Sequence, residues 1–195
     1  MRILFLGSGE FGLATLERIA QEHELVGVVT SPDKPAGRNR SSKQTAIGEW
    51  ASAQQVALFK TNNVNMPAFL EQMNALNPDA VVVIAFGQKL SEEFIGNRPT
   101  INLHASLLPR WRGAAPINAA ILHGDVVAGV SVITLAQKMD AGIVLGKVAT
   151  TISPTETAGE LHDRLALLGP EIVMEVLDGD FSGEEQNETL VTYAP

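Results

Sequence analysis

The chain begins with an apolar run that leads directly into a glycine-rich turn, Arg2-Ile3-Leu4-Phe5-Leu6-Gly7-Ser8-Gly9-Glu10-Phe11-Gly12. Residues 2–6 predict a short buried strand, and residues 11–22 place their apolar side chains mostly on one helical stripe. Residues 25–30 predict a second strand. A strand that turns tightly into a helix and returns to a strand is the β-α-β unit of Rossmann-like folds.

The spacing of Gly7, Gly9 and Gly12 matches the dinucleotide-binding fingerprint, but a second part of that fingerprint is missing. An acidic residue at the end of the second strand holds the ribose hydroxyls of a dinucleotide. The end of the second strand, Val28-Val29-Thr30-Ser31, supplies none. The turn therefore predicts the fold and argues against NAD as the ligand.

Strand-like and helix-like segments continue to alternate along the chain. Helices are predicted at 44–54, 67–76, 91–95 and 116–122, and strands at 56–59, 80–85 and 100–104. Two β-rich runs, 129–135 and 143–150, follow as an antiparallel pair, and one helix is predicted over 157–177. The pattern predicts an α/β, Rossmann-like fold with a mostly parallel sheet, an antiparallel late strand pair and helices on both faces.

Composition limits the classes of function. The 195 residues are 45% hydrophobic, contain no cysteine and carry a net charge of −8. Disulfides and thiolate metal sites are excluded, and no apolar stretch approaches the roughly 20 residues of a membrane span, so we expect a cytoplasmic protein. The net negative charge argues against a protein that binds nucleic acid over its whole surface. The segment 34–48, however, has four basic residues and no acidic one, so it could bind phosphates locally.

Two segments indicate a ligand site. In the predicted strand 100–104, Asn102 and His104 share one face near the carboxyl end, where α/β sheets bind ligands. The alternative is that Asn102 and His104 are ordinary polar residues whose hydrogen-bond partners lie at the strand end. The loop that follows has Arg110 and Arg112 on either side of Trp111, an arrangement suited to an anionic or aromatic ligand or simply to a solvated rigid loop.

The segment Asn102-Leu103-His104-Ala105-Ser106-Leu107-Leu108-Pro109-Arg110-Trp111-Arg112-Gly113-Ala114-Ala115-Pro116-Ile117 resembles the signature of the folate-dependent formyltransferases, and most of all the methionyl-tRNA formyltransferases. The resemblance continues in Ser31-Pro32-Asp33-Lys34-Pro35-Ala36-Gly37-Arg38, Ala85-Phe86-Gly87-Gln88-Lys89-Leu90, Met139-Asp140-Ala141-Gly142 and Thr157-Ala158-Gly159-Glu160-Leu161. It covers nearly the whole chain. Phe86 stands where the family usually has tyrosine, and Gly9 where it usually has proline.

The resemblance implies transfer of a formyl group from 10-formyltetrahydrofolate to the amino group of methionyl-tRNA, with no metal. The family's catalytic residues fall on Asn102, His104 and Asp140. The Asn102 amide and a ring N–H of His104 would stabilise negative charge on the formyl oxygen. Asp140 would accept the proton of the amine, directly or through water, and would bias the protonation of His104.

The same resemblance assigns binding residues. The folate pocket would be lined by Phe86, Gly87, Gln88, Leu90, Ser106, Leu107, Leu108 and Pro109, and tRNA would contact Arg38, Arg40 and Lys43. Residues 1–180 would form the formyltransferase catalytic domain, and residues 181–195 an acidic tail or the start of a linker to a C-terminal domain that this chain lacks. We therefore expect weakened binding of initiator methionyl-tRNA, no membrane partner and a monomer.

Three other functions fit the residues. A sugar-amine formyltransferase would use the same Asn, His and Asp on a nucleotide-linked amino sugar. A formyltetrahydrofolate hydrolase would replace the amine by water. A folate- or nucleotide-binding module would have no assembled catalytic triad.

Overall fold

The structure, a computed structural model, describes residues 1–36 and 41–195. The chain divides into two compact units, Met1–Thr100 and Ile101–Pro195. The boundary expected after residue 180 stays a prediction. Among the described residues, no helix has both the length and the apolar character needed to cross a membrane.

The first unit contains parallel strands in the order β6-β1-β2-β5. Its strands are β1 (Arg2–Gly7), β2 (Glu24–Thr30), β3 (Lys34–Ala36), β4 (Ser41–Lys43), β5 (Leu58–Lys60) and β6 (Ala80–Ile84). Its helices are α1 (Leu13–Glu22), α2 (Ala46–Ala53), α3 (Pro67–Ala75) and α4 (Glu92–Ile95). Strands β3 and β4 form an antiparallel hairpin that the sequence patterns did not predict.

The opening turn explains why two of its glycines are needed. A Cβ atom on Gly7 would lie 2.7 Å from the Phe5 ring and 2.8 Å from the Ile84 carbonyl oxygen, and one on Gly12 would lie 3.1 Å from the Phe5 ring. Gly9 has an extended backbone, with φ −84°, and its Cβ would meet nothing nearer than 3.5 Å. Close packing therefore favours glycine most strongly at the first position and leaves little room at the third, whereas the second position has space for a small side chain.

The second unit contains the antiparallel strands β7 (Thr100–His104), β9 (Val127–Thr134) and β10 (Val144–Thr151), in the order β10-β9-β7. Its helices are α5 (Pro116–Leu122), α6 (Ala158–Ala166) and α7 (Gly169–Asp178). The short strands β8 (Arg112–Gly113) and β11 (Tyr193–Ala194) pair in parallel. The predicted fold class is confirmed, including the antiparallel late pair.

The single helix predicted over 157–177 is wrong, because the structure has two. Helix α6 begins with a capping box in which the Thr157 and Glu160 side chains bond each other's backbone N–H groups. It ends at Ala166, and α7 starts at Gly169 with Pro170 in its first turn. Proline has no N–H and clashes with the preceding helical turn, so Pro170 starts a helix and cannot continue one.

The last residues of the chain pack against the second unit. Glu184 forms an antiparallel bridge to Val144, and the backbone N–H of Arg112 donates to the Thr192 carbonyl at 2.9 Å. Ala194 is 1% exposed. Residues 184–194, called here the C-terminal segment, therefore belong structurally to the unit that contains His104 and Asp140.

Candidate active site

His104 ends strand β7, and its side chain is buried next to a carboxylate. Its Nδ1 lies 3.7 Å from Oδ2 of Asp140. Its Nε2 lies 2.9 Å from the carbonyl oxygen of Trp111. Because a carbonyl oxygen only accepts hydrogen bonds, Nε2 carries a hydrogen, and Nδ1 is the nitrogen that faces Asp140. A hydrogen on Nδ1 as well makes the ring an imidazolium.

The Asp140 side chain reaches His104 because of an unusual turn. Asp140 has a left-handed backbone with φ 51°, a conformation that aspartate tolerates better than most residues. Its Oδ2 accepts a hydrogen bond from the backbone N–H of Gly113 at 2.9 Å. A Cβ on Gly142 would lie 1.7 Å from the Thr134 carbonyl oxygen, so only glycine lets the turn return this close to β9.

Asn102 lies two residues before His104 on β7. The register pairs Asn102 with Ile133 and His104 with Ser131 on the neighbouring strand β9. Alternation along the strand places the Asn102 and His104 side chains on one face. The structure thus brings His104 and Asp140 together and keeps the partly exposed Asn102 on the strand face of His104.

The charge of Arg110 is matched by an acid that sequence analysis missed. Its Nε and Nη2 donate to the two carboxylate oxygens of Asp125, at 2.9 and 2.5 Å, and its guanidinium lies 4.3 Å from the Trp111 ring centroid. Trp111 Nε1 also donates to Asp125, at 2.7 Å. The Arg110 hydrogen bonds, followed by that of Trp111, lower the pKa of Asp125. Arg110, which the sequence suggested would bind a ligand or face solvent, therefore pairs with Asp125 of the same chain.

Arg112 is completely buried and is held by the C-terminal segment. Its Nε donates to Oε1 of Gln186 at 3.0 Å, and its Nη2 donates to Glu188 at 2.7 Å. Lys138 donates to the other Glu188 oxygen at 2.8 Å. Hydrogen bonds from Arg112 and then Lys138 lower the pKa of Glu188 to about 2. No local pattern could have revealed these partners, because Gln186 and Glu188 lie more than 70 residues from Arg112 in the chain.

The first predicted folate-binding group lies in the loop after β6. Phe86 and Leu90 are buried, and the Gln88 amide is used internally, donating to the Thr61 carbonyl at 2.8 Å. Gly87 is exposed and left-handed, with φ 78°, and no atom lies within 4 Å of its hypothetical Cβ. Gly87 is therefore an exposed backbone position of this loop.

The second predicted folate-binding group follows β7. The Ser106 hydroxyl donates to the Arg110 carbonyl at 2.5 Å. The Leu108 side chain is buried against Ile133 and Val144. Leu107 and Pro109 are partly exposed. Ser106 and Leu108 thus shape the loop from inside, and Leu107 and Pro109 keep side-chain surface for a ligand.

Of the three predicted tRNA-binding residues, Lys43 lies among the described residues. Arg38 and Arg40 lie outside the described residues. Lys43 is exposed on β4, directly opposite the exposed Lys34 of β3. Within residues 1–36 and 41–195, no cluster of three or more metal-ligating side chains occurs.

Comparisons with known proteins show the family. The chain belongs to the formyl transferase family, which matches residues 1–177. It is 40% identical over 201 residues to a methionyl-tRNA formyltransferase of Legionella pneumophila (strain Corby), an alignment that covers 100% of this chain and 64% of that relative. The chain therefore spans slightly less than two thirds of the length of this curated relative.

Solved structures share the fold. Glycinamide ribonucleotide transformylase 1 from Symbiobacterium toebii superposes with a TM-score of 0.75 at 21% identity, covering 91% of this chain and 85% of that chain. WlaRD, a sugar 3N-formyl transferase, superposes with a TM-score of 0.76 at 16% identity, covering 100% of this chain and 69% of that chain. At these identities, the likeness concerns the fold alone.

Proposed function

We propose that this chain transfers a formyl group from 10-formyltetrahydrofolate to the amino group of methionyl-tRNA. The observation that carries the proposal is the buried His104 ring 3.7 Å from the Asp140 carboxylate, on the strand that also presents Asn102. Formyl transferase membership and 40% identity to a methionyl-tRNA formyltransferase support the reaction and the acceptor.

The chemistry follows from the groups present. The neutral amine attacks the formyl carbon, and the electron pair of the C=O double bond moves onto the oxygen. The Asn102 amide N–H and an N–H at His104 Nδ1 stabilise that negative charge. Since Nε2 is engaged with the Trp111 carbonyl, an N–H at Nδ1 is present only when the ring is the imidazolium.

Proton transfer completes the reaction. The attacking nitrogen loses its proton to Asp140, directly or through water. The electron pair on the oxygen then re-forms the C=O double bond, the bond from the formyl carbon to N10 of the folate breaks, and N10 takes the proton held by Asp140 as tetrahydrofolate leaves. Asp140 thus has two roles, one as base and one as the counter-charge of His104.

A folate-derived donor is consistent with the geometry of the loop that follows β6, residues 86–90. The backbone of Gly87 would meet the edge of the pterin ring, and Phe86, Gln88 and Leu90 would hold the loop in shape. Ser106, Leu107, Leu108 and Pro109 remain predicted pocket residues. WlaRD, which shares the fold, was determined in the presence of 5-N-formyl-THF.

The lysines of the β3–β4 hairpin support an anionic acceptor. Lys34 and Lys43 lie directly opposite each other, and like charges at opposed positions destabilise a two-stranded pair. A phosphate backbone would relieve this repulsion. Arg38 and Arg40 stay predicted tRNA-binding residues. A protein that formylates methionyl-tRNA would act in the cytoplasm.

The test is an acceptor competition. The protein is mixed with 10-formyltetrahydrofolate and with methionyl-tRNA, a nucleotide-linked amino sugar or no acceptor, and release of tetrahydrofolate is followed. Release that depends on methionyl-tRNA is expected. Release with the amino sugar alone, release without acceptor or tight folate binding without turnover would instead indicate a sugar-amine transferase, a hydrolase or a binding module.

A further inference from the structure

The C-terminal segment is bonded to the loop that surrounds the candidate active site. The Thr192 hydroxyl accepts from the Trp111 backbone N–H at 2.9 Å, and the Thr192 carbonyl accepts from that of Arg112, also at 2.9 Å. A Cβ on Gly113 would lie 2.2 Å from the Ala194 carbonyl oxygen. The segment therefore lies directly against the residues whose backbone supports Asp140.

Gln186 connects this segment to the Asp140 turn. Its Nε2 donates to the carbonyl oxygens of Asp140 and Gly142, at 2.7 and 2.8 Å. Its Oε1 accepts from Nε of the buried Arg112, at 3.0 Å. Both amide hydrogens and the amide oxygen are thus used, and one side chain joins the Asp140 turn to Arg112.

The turn needs such support. Asp140 has a left-handed backbone, which sterics disfavour for any residue with a Cβ. Gly113 holds the Asp140 carboxylate through its N–H, and Gln186 holds the Asp140 backbone carbonyl. Together these bonds fix both ends of the residue that faces His104.

We propose that Gln186 is a positioning residue, which holds the Asp140 turn so that the carboxylate faces His104 Nδ1. The inference rests on the proposed function, because Gln186 acts through Asp140. Misplacement of a reacting group by about 1 Å is expected to lower turnover on the order of 100-fold. Gln186 is distinct from Asn102, His104 and Asp140 because it would touch neither substrate nor reacting atoms.

Two substitutions separate positioning from general support of the C-terminal segment. Gln186→Met removes all three hydrogen bonds and leaves Arg112 Nε unpaired, next to an Nη1 for which residues 1–36 and 41–195 supply no hydrogen-bond partner. Gln186→Glu keeps an acceptor for Arg112 but has no N–H for the two carbonyls. The glutamate variant therefore retains the link from the segment to Arg112 and loses the link to the turn.

Formyl transfer, thermal unfolding and the backbone ¹³C′ shifts of Asp140 and Gly142 are measured for both variants. We expect Gln186→Glu, which keeps the bond to Arg112, to unfold at a higher temperature than Gln186→Met and to lose kcat on the order of 100-fold, with little change in KM. The ¹³C′ shifts of Asp140 and Gly142 should change in the same variant. Asn187→Ala serves as the control and should keep wild-type kcat, because Asn187 Oδ1 accepts from the backbone N–H and the hydroxyl of Thr189.

The failures are distinguishable. A glutamate variant with wild-type kcat would overturn the positioning role and leave the proposed function intact. Unchanged ¹³C′ shifts in both variants would overturn it independently of activity. A wild-type chain that is inactive with every acceptor would contradict the proposed function and the inference with it. An Asp140→Asn variant with wild-type kcat would leave the formyl transfer standing and remove the role of Asp140 on which the inference rests.

Discussion

Asp140→Asn is the substitution that isolates the electrostatic contribution of Asp140. Asparagine tolerates the left-handed backbone of residue 140, and its Oδ1 can still accept from the Gly113 N–H. The substitution therefore removes the charge and the base while it keeps the turn. At 3.7 Å from His104 Nδ1, a carboxylate stabilises an imidazolium by about 4 kcal/mol at an effective dielectric constant of about 20.

If that stabilisation is realised in the transition state, its loss lowers kcat by about 10³-fold. The assay is the release of tetrahydrofolate with saturating methionyl-tRNA, together with circular dichroism and thermal unfolding to confirm the fold. Asp163→Asn is the matched control, because Asp163 also lies beside a histidine, His162, at 2.9 Å, but its side chain is 83% exposed. A fall of less than about tenfold for Asp140→Asn would refute the reasoning, since each factor of ten corresponds to about 1.4 kcal/mol.

Two further predictions concern packing and acid stability. Gly7→Ala should lower the free energy of unfolding by about 1–3 kcal/mol in urea titrations, whereas Gly9→Ala should change it by less than about 0.5 kcal/mol; equal effects would contradict the close-approach argument. The pKa of Glu188 is lowered to about 2 by Arg112 and Lys138, so its stabilisation is complete above the ordinary value of 4.5 and is lost as the pH falls towards 2. NMR of the Arg112 Nη2 hydrogens, which Glu188 accepts, should show release in that range, and Glu188→Gln should flatten the response. An identical acid profile in the variant would exclude Glu188 as the cause.

The sequence pattern could place Asn102 and His104 together because the alternation of side chains along a strand depends only on neighbouring residues. Period-two alternation places Asn102 and His104 on one face, and the structure confirms His104 at the end of β7. The roles of Gly7 and Gly12 also follow from a strand that must turn tightly. Spacing alone could not pair Asp140 with His104, since a turn aspartate 36 residues away has no local signature, and only the family resemblance connected them.

The remaining features depend on distant partners. The sequence around Arg112 is typical of a solvent-exposed loop, but in the structure Arg112 is completely buried and bonded to the C-terminal segment. Arg110 and Asp125 form a pair only because the chain returns after α5. The break between α6 and α7 had a visible signal, since Pro170 in an otherwise helical pattern indicates the start of a new helix.

The most direct measurement follows the formyl group itself. The protein is incubated with 10-formyltetrahydrofolate labelled in the formyl carbon and with methionyl-tRNA, and the methionine released from the tRNA is analysed. The label should appear on the amino nitrogen of methionine, and Asn102→Ala should abolish its appearance without altering the fold. Label recovered only as free formate, or equal labelling by Asn102→Ala, would contradict the account.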